Sequence, residues 1–211
     1  MYTYKTIIEE NSTQFTEKHS RFIGYVCHTE TDEEAVAFIE KIRTLNSDSR
    51  HNVYAYVLNK ENRARYSDDG EPHGTAGKPI LDIINGLELK DVTVVVTRYF
   101  GGILLGTGGL VRAYSKAAKD TLDSSEKFLM VPGTRFSACC EYSQYEQLMS
   151  IISSYDGTVI NTVYENKINI QFSVPTVMCD RFINSINEVF SSQIVAEPIG
   201  EEYTKQKISV F

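Results

Sequence analysis

Two stretches of this chain gather the residue types that chemistry uses. The first runs Ser67-Asp68-Asp69-Gly70-Glu71-Pro72-His73-Gly74-Thr75-Ala76-Gly77-Lys78-Pro79 and packs three carboxylates and an imidazole into one short segment. Such a cluster suits acid–base work or a hard-metal site. A turn rich in Asp and Gly carries the same residues for backbone reasons alone. A hard cation would need further oxygen ligands from elsewhere, and no EF-hand spacing is present, so the expectation is no metal and no cofactor.

The second stretch is Thr97-Arg98-Tyr99-Phe100-Gly101-Gly102-Ile103-Leu104-Leu105-Gly106-Thr107-Gly108-Gly109-Leu110-Val111-Arg112. It reads strand, glycine-rich loop, helix. The first amides of a helix lack partners and sit at the positive end of its dipole, so this arrangement suits an anion. Glycines also serve a tight strand-to-helix connection with positive φ, and both readings stay open. It is neither a Walker A loop nor a dinucleotide fingerprint, since no G-K-[ST] follows and Val111 stands where the last glycine would be. On the following helix Arg112, Lys116 and Lys119 share one face. With Arg98 and Lys78 they could form a basic surface suited to phosphate backbone. The alternative is a solvated helix face whose charge Asp120 and Asp123 dilute. Tyr99 and Phe100 are expected to split across the strand, one inward and one outward. Tyr114 falls on the apolar stripe and is assigned to the core.

Other chemistries find less support. G-x-S-x-G and H-E-x-x-H are absent. Cys27 and His51 could be drawn as nucleophile and base, though a structural thiol is the simpler reading. None of the four cysteines, Cys27, Cys139, Cys140 and Cys179, forms a C-x-x-C pair. They read as reduced thiols of a cytoplasmic protein. No signal peptide or membrane-length apolar run is visible. A net charge of −7 argues against non-specific nucleic-acid binding over the whole surface, but not against a local basic patch.

The elements that must position these residues are legible from periodicity. A strand is expected through Arg21–His28. A helix then starts at Thr31-Asp32-Glu33-Glu34, with Val36, Ile39 and Ile42 on its apolar face. Val53–Leu58 and Arg63–Ser67 make a hairpin. The loop Asp68–Pro79 leads to a short helix near Ile80–Leu87. Val92–Thr97 is a strand covered on both faces. A helix over Thr107–Ser125 buries Leu110, Val111, Tyr114, Ala118 and Leu122. Val131-Pro132-Gly133 is expected to be a joint between domains 1–130 and 131–211. The second domain alternates through Phe136–Tyr142, turns helical over Tyr145–Ile152 and returns to strand at Thr158–Tyr164 and Ile168–Val174. A helix at Met178, Phe182, Ile186 and Val189 follows, with closing strand material at Ile194–Ala196 and Lys207–Val210. This α+β order is the ferredoxin-like βαββαβ motif.

The two rich stretches resemble the diagnostic motifs of the IMPACT/YigZ family. The resemblance is carried by Asp69-Gly70-Glu71-Pro72, Gly74-Thr75-Ala76-Gly77, Arg98-Tyr99-Phe100-Gly101-Gly102, Gly106 and Gly109-Leu110-Val111-Arg112-Ala113-Tyr114. Lys18-His19-Ser20-Arg21-Phe22 resembles the family's opening strand, and His51–Tyr56 its second, where Val53 stands in the place of a common cysteine. The resemblance implies a first domain with the fold shared by domain 2 of a small-subunit ribosomal protein and domain IV of elongation factor G. It implies a second domain similar to domain V of that factor. By analogy of fold it implies contact with RNA or the ribosome and a role in translation regulation. The kinase-activator role of eukaryotic relatives depends on an additional N-terminal domain and is not expected to carry over.

The leading expectation is therefore a non-enzymatic binding protein that contacts RNA or the translation machinery. Its candidate ligand residues are Lys78, Arg98, Tyr99, Gly101, Gly102, Gly106, Arg112, Lys116 and Lys119. The motif loop Asp69, Gly70, Glu71, Pro72, His73, Gly74, Thr75 and Gly77 is expected to meet them in space. The rivals are a hydrolase or metal-dependent enzyme built on Asp68, Asp69, Glu71 and His73, and a protein-interaction module without nucleic acid.

Overall fold

The computed structural model describes residues 1–207. The chain divides into two compact units, one of residues 4–128 and one of residues 129–207 together with Met1–Thr3. Both mix helix and strand.

In the first unit β1 (Tyr4–Ile7), β2 (Asn11–Glu17) and β3 (Ser20–His28) precede helix α1 (Asp32–Leu45). Then come β4 (His51–Leu58), β5 (Arg63–Ser67), α2 (Gly77–Gly86), β6 (Val92–Tyr99) and α3 (Thr107–Asp123). One antiparallel sheet runs in the order β2-β3-β6-β4-β5. α2 and α3 cover one face, where Phe22, Val94, Val96, Ile80 and Tyr114 meet, and α1 covers the other through Phe38, Ile39, Ile42 and Val95. β6 is buried along nearly its whole length, as its unbroken apolar run predicts for a strand covered on both faces.

Local rules explain the element starts. Thr31 caps α1 by accepting from the Glu34 amide, and three acids occupy the first turn. The buried stripe of α1 is Ala35, Phe38, Ile39 and Ile42, whereas Val36 lies one residue off that line and is exposed. For the same reason Val111 of α3 faces outward while Ala113, Ala117 and Thr121 are buried. β1 and β2 extend the unit ahead of the expected first strand. β2 pairs with β3 through a turn in which Lys18 and His19 both take positive φ.

The second unit contains β7 (Lys127–Cys140), α4 (Tyr145–Ser154), β8 (Thr158–Tyr164), β9 (Ile168–Pro175), α5 (Cys179–Phe190) and β10 (Glu197–Lys207). β9 pairs with β7 on one side and β8 on the other, and β10 pairs with β7. Phe136, Phe172 and Phe182 form an aromatic centre, with ring centroids 5.4–5.7 Å apart. Val189 of α5 is exposed and Phe190 is buried in its stead. Met130–Gly133, expected as a joint, run within the continuous strand β7. Gly133 lies against Thr204 and the Val174 carbonyl, where an added Cβ would not fit. The closing strand begins at Glu197, not at Ile194. Of the expected Lys207–Val210 segment, 208–210 lie outside the described residues.

Candidate functional site

The register of the first sheet gathers the chemistry at one end. His51, the first residue of β4, lies opposite Arg98 near the end of β6, and Phe22 of β3 lies opposite Arg98 on the other side. β5 ends at the same edge and releases the loop 68–76. Both glycine-rich segments therefore leave from, or arrive at, one rim of the sheet.

The first loop is held by its own carboxylates. Asp68 accepts from the amides of Gly74 (2.8 Å), Ala76 (3.1 Å) and Gly77 (2.9 Å), so it satisfies the start of α2. This cap starts the helix at Gly77, earlier than periodicity suggests, and Pro79 fits its first turn. Asp69 sits at φ +43° and turns its carboxylate to the Asn52 amide (2.6 Å) and to Arg43 (3.3 Å). Its carbonyl lies 2.8 Å from His51 Nδ1. A carbonyl can only accept, so Nδ1 carries the proton. Thr75 donates to the Pro72 carbonyl (2.6 Å). Gly70 and Gly74 take φ +85° and +75°, which any side chain would resist. Gly77 is close-packed instead, because an added Cβ would lie 2.7 Å from the Ser67 carbonyl.

Glu71 goes inward. Its Oε1 accepts from Arg98 Nη1 (2.7 Å) and from the Tyr114 hydroxyl (2.8 Å). The Glu71 and Arg98 side chains are 4% and 7% exposed, so this is a buried ion pair with a shared acceptor. The Arg98 guanidinium lies 5.6 Å from the Phe22 ring centroid and 5.4 Å from that of Phe100. Burial, then the Glu71 charge, push the Tyr114 hydroxyl far above its ordinary range and keep it a donor. Arg98 Nε is buried and has no hydrogen-bond partner among the described residues.

The second loop closes over this network. Gly101 touches the first β-turn, since a Cβ there would lie about 2.0 Å from the His19 carbonyl carbon, and its amide donates to Ser20 Oγ (3.2 Å). Gly102 and Gly106 take φ +84° and +72°. The result is a cleft of about 390 Å³, within the range of small-ligand sites. Glu71 and Pro72 from the first loop line it, as do Phe100 and Leu104 from the second, Arg98 at the floor and Arg50 at the rim. On the other side of Leu105 lies a second hollow of about 220 Å³, lined by Phe15, Lys18, Arg112 and Lys116 among others. Leu104, Ile103 and Phe100 are exposed at 81%, 44% and 42%.

The expected site residues thus separate into groups. Glu71, Pro72, Arg98 and Gly106 meet in the first cleft, and Arg112 and Lys116 flank the second. Tyr99 points to the opposite face of the sheet from Arg98, as strand alternation requires. Its hydroxyl lies 3.0 Å from two acceptors, Asn46 Oδ1 and Asp48 Oδ1, which share its one proton, and the Arg21 guanidinium lies over its ring. Lys78, Lys116 and Lys119 pair with Asp82, Asp120 and Asp123 one turn on, so much of the basic stripe is neutralised. Lys116 also lies 4.9 Å from the Phe15 ring centroid. His73 Nδ1 lies 3.7 Å from Asp68 Oδ2 with its imidazole exposed, but Asp69 and Glu71 turn away to the Asn52 amide and to Arg98, so the four do not gather at one point. Among the described residues no three of His, Cys, Asp and Glu group to hold a metal ion. Cys27 and His51 pair with Thr93 and Arg98 of β6, five residues apart, hence roughly 17 Å along the strand. No helix among the described residues is long and apolar enough to cross a membrane.

No spacing or motif in the sequence marks Arg50, Leu104 or the hydrogen-bonding role of Tyr114. Helical spacing marks Tyr114 as core, which it is. Its hydroxyl role becomes visible only when Glu71, 43 positions away, is seen against it.

Fold and site together define a two-unit α/β protein with a loop-built cleft at one end of its first sheet. Comparison with known proteins makes the class specific. Residues 18–122 match the Impact N-terminal domain and residues 140–193 match a domain of unknown function, DUF1949. An IMPACT family member of Haemophilus influenzae is 36% identical over 202 residues, covering 92% of this chain and 98% of that protein. IMPACT family member YigZ of Escherichia coli is 37% identical over 180 residues, covering 84% and 85%. A crystal structure of a hypothetical protein matches with a TM-score of 0.62 and 32% identity, covering 95% and 98%. The chain belongs to the IMPACT family. Protein IMPACT of Mus musculus shares 33% identity over 95 residues, 43% of this chain and 30% of that one.

Proposed function

We propose that this protein is a non-catalytic binding protein that engages RNA, in contact with the translation machinery of the cytoplasm. The observation that carries the reading is the grouping around the Phe100–Gly106 loop. An exposed aromatic ring, Phe100, lies on one side of Leu105 with Arg50, and Lys18 and Arg112 lie on the other with Phe15. Arg50, Lys18 and Arg112 have no side-chain ion pair or hydrogen bond among the described residues. Aromatic faces beside free cations suit single-stranded nucleic acid. The family membership adds the fold-level argument that the first unit is of the kind found in ribosomal protein and elongation-factor domains, and the strand–helix order of the second unit supports a ferredoxin-like fold. The carboxylates of the motif loop favour binding over hydrolysis, because each is committed to an amide, a guanidinium or a hydroxyl.

The test is binding of short single-stranded RNA to the full chain at low salt. Affinity should fall with salt at a slope of about −0.7 per phosphate contact. Phe100→Ala with Arg112→Gln should weaken binding without lowering the melting temperature. A wild type that binds no RNA at low salt would instead support a protein partner, for which the exposed Ile103 and Leu104 are the supporting feature.

A further inference from the structure

We infer that the start of α3 and the floor of the first cleft form a seat for a phosphate group or a similarly compact oxyanion. This rests on the binding role proposed above and names the chemical group that the cleft takes.

Three observations converge. First, α3 begins without a cap. Gly106 has no side chain to offer, no acid stands in the first turn, and the amides of Thr107, Gly108 and Gly109 have no acceptor among the described residues. Open amides and a positive dipole end are what an anion finds at a helix start, and here those of Thr107, Gly108 and Gly109 stay open while Leu110 makes the first intrahelical bond, to the Gly106 carbonyl. Second, Arg98 lines the same cleft as Gly106 and Thr107, with its side chain more than nine-tenths buried and Nε unpartnered. A buried N–H of this kind is costly unless an acceptor arrives, and a charged acceptor gives the stronger bond. Third, Arg50 stands exposed on the rim with its guanidinium unpaired among the described residues.

α2 shows what the seat lacks. There the chain supplies its own anion, the Asp68 carboxylate, to three amides. At α3 nothing from the chain plays that part. Glu71 lies in the cleft as well and offsets the charge of Arg98, but its Oε1 already serves two donors. Attraction therefore comes from the helix start, Arg50 and the unsatisfied Nε–H, a set suited to one compact oxyanion.

The experiment titrates the ¹⁵N-labelled full chain with inorganic phosphate at constant ionic strength, and separately with a short single-stranded RNA. Phosphate should shift the amides of Thr107, Gly108 and Gly109 and the Nε–H of Arg98. Arg50→Gln should weaken phosphate binding roughly fivefold. Thr107→Glu places a carboxylate in the first turn. It should abolish phosphate binding while the melting temperature holds or rises, because an acid there suits the dipole. Unmoved amides under phosphate, or phosphate binding unaltered in Thr107→Glu, would overturn the seat. RNA binding that survives Thr107→Glu alongside unmoved amides would remove the seat and leave the RNA reading standing. Phosphate binding without RNA binding would keep the seat and remove the RNA reading.

Discussion

The two units bury different things. The core of the second unit is almost wholly apolar, centred on three phenylalanines, and among the described residues its buried polar side chains are Ser173 and Thr204. The first unit buries Glu71, Arg98, Asp91, Asn46, Asn52 and a set of threonines. Several of these, Glu71, Arg98, Asn52 and Thr97, lie at the cleft end of the sheet, linked by bonds such as Thr97 Oγ1 to Asn52 Oδ1 at 2.7 Å. Burying charge costs stability unless geometry compensates. The Glu71–Arg98 pair and its polar neighbours mark where the cleft end gives up packing for specificity, whereas Asp91, just ahead of β6, is buried at the opposite end of the sheet and accepts from the Asn59 amide.

The sharpest way to break this contrast is to remove half of the ion pair. Glu71→Leu leaves Arg98 buried and unpaired and should cost about 3–5 kcal/mol in urea unfolding. Adding Arg98→Met should recover most of that loss, since an apolar pair of similar volume has no charge to desolvate. Phe172→Ala in the second unit should cost a similar ~3–5 kcal/mol through its cavity. It has no charge partner, however, so no second substitution of that kind can rescue it. A Glu71→Leu loss that Arg98→Met deepens would show that the pair does not act as a unit.

A smaller effect probes the third member. Tyr114→Phe removes one hydroxyl from the Glu71 carboxylate and should cost about 1.5–3 kcal/mol, the range for a bond to a charged group. A loss near zero would mean that water replaces the hydroxyl.

The smallest effect leaves stability untouched and compares thiols. Burial, then Glu10, raise Cys27 of the first unit to about 11. A raised thiol pKa means less thiolate at neutral pH, so Cys27 should react with a disulfide reagent at pH 8 far more slowly than exposed Cys139 of the second unit. Rate should climb with pH up to about 11. Equal rates at pH 8 would place Cys27 in a more open setting.

Much of this was legible where a single element carries the signal. Thr31 and the acids after it place the start of α1, and Val92–Thr97 place the central strand. β1 and β2 were missed because β2 is polar at most positions and half exposed, and because Lys18 and His19 take left-handed φ without a glycine to announce it. The motif loops were visible as two segments that meet at one rim of the sheet. Their wiring was not, for Asp68, Asp69 and Glu71 are near neighbours in sequence yet serve a helix start, a strand amide and a buried guanidinium. Which carboxylate turns which way is decided by tertiary contacts, and no spacing rule encodes it. The lysines of α3 looked like a basic face, but the aspartates one turn on pair with Lys116 and Lys119.

The position of Phe100 also gives the protein an optical handle. The chain contains no tryptophan, so its native emission comes from tyrosines scattered over both units. Phe100→Trp would set a lone indole at the mouth of the cleft, beside the Arg98 guanidinium and open to solvent on its other side. Its colour and brightness would then report on that one place, and filling or emptying of the cleft could be followed in real time by exciting the indole to the red of tyrosine absorption.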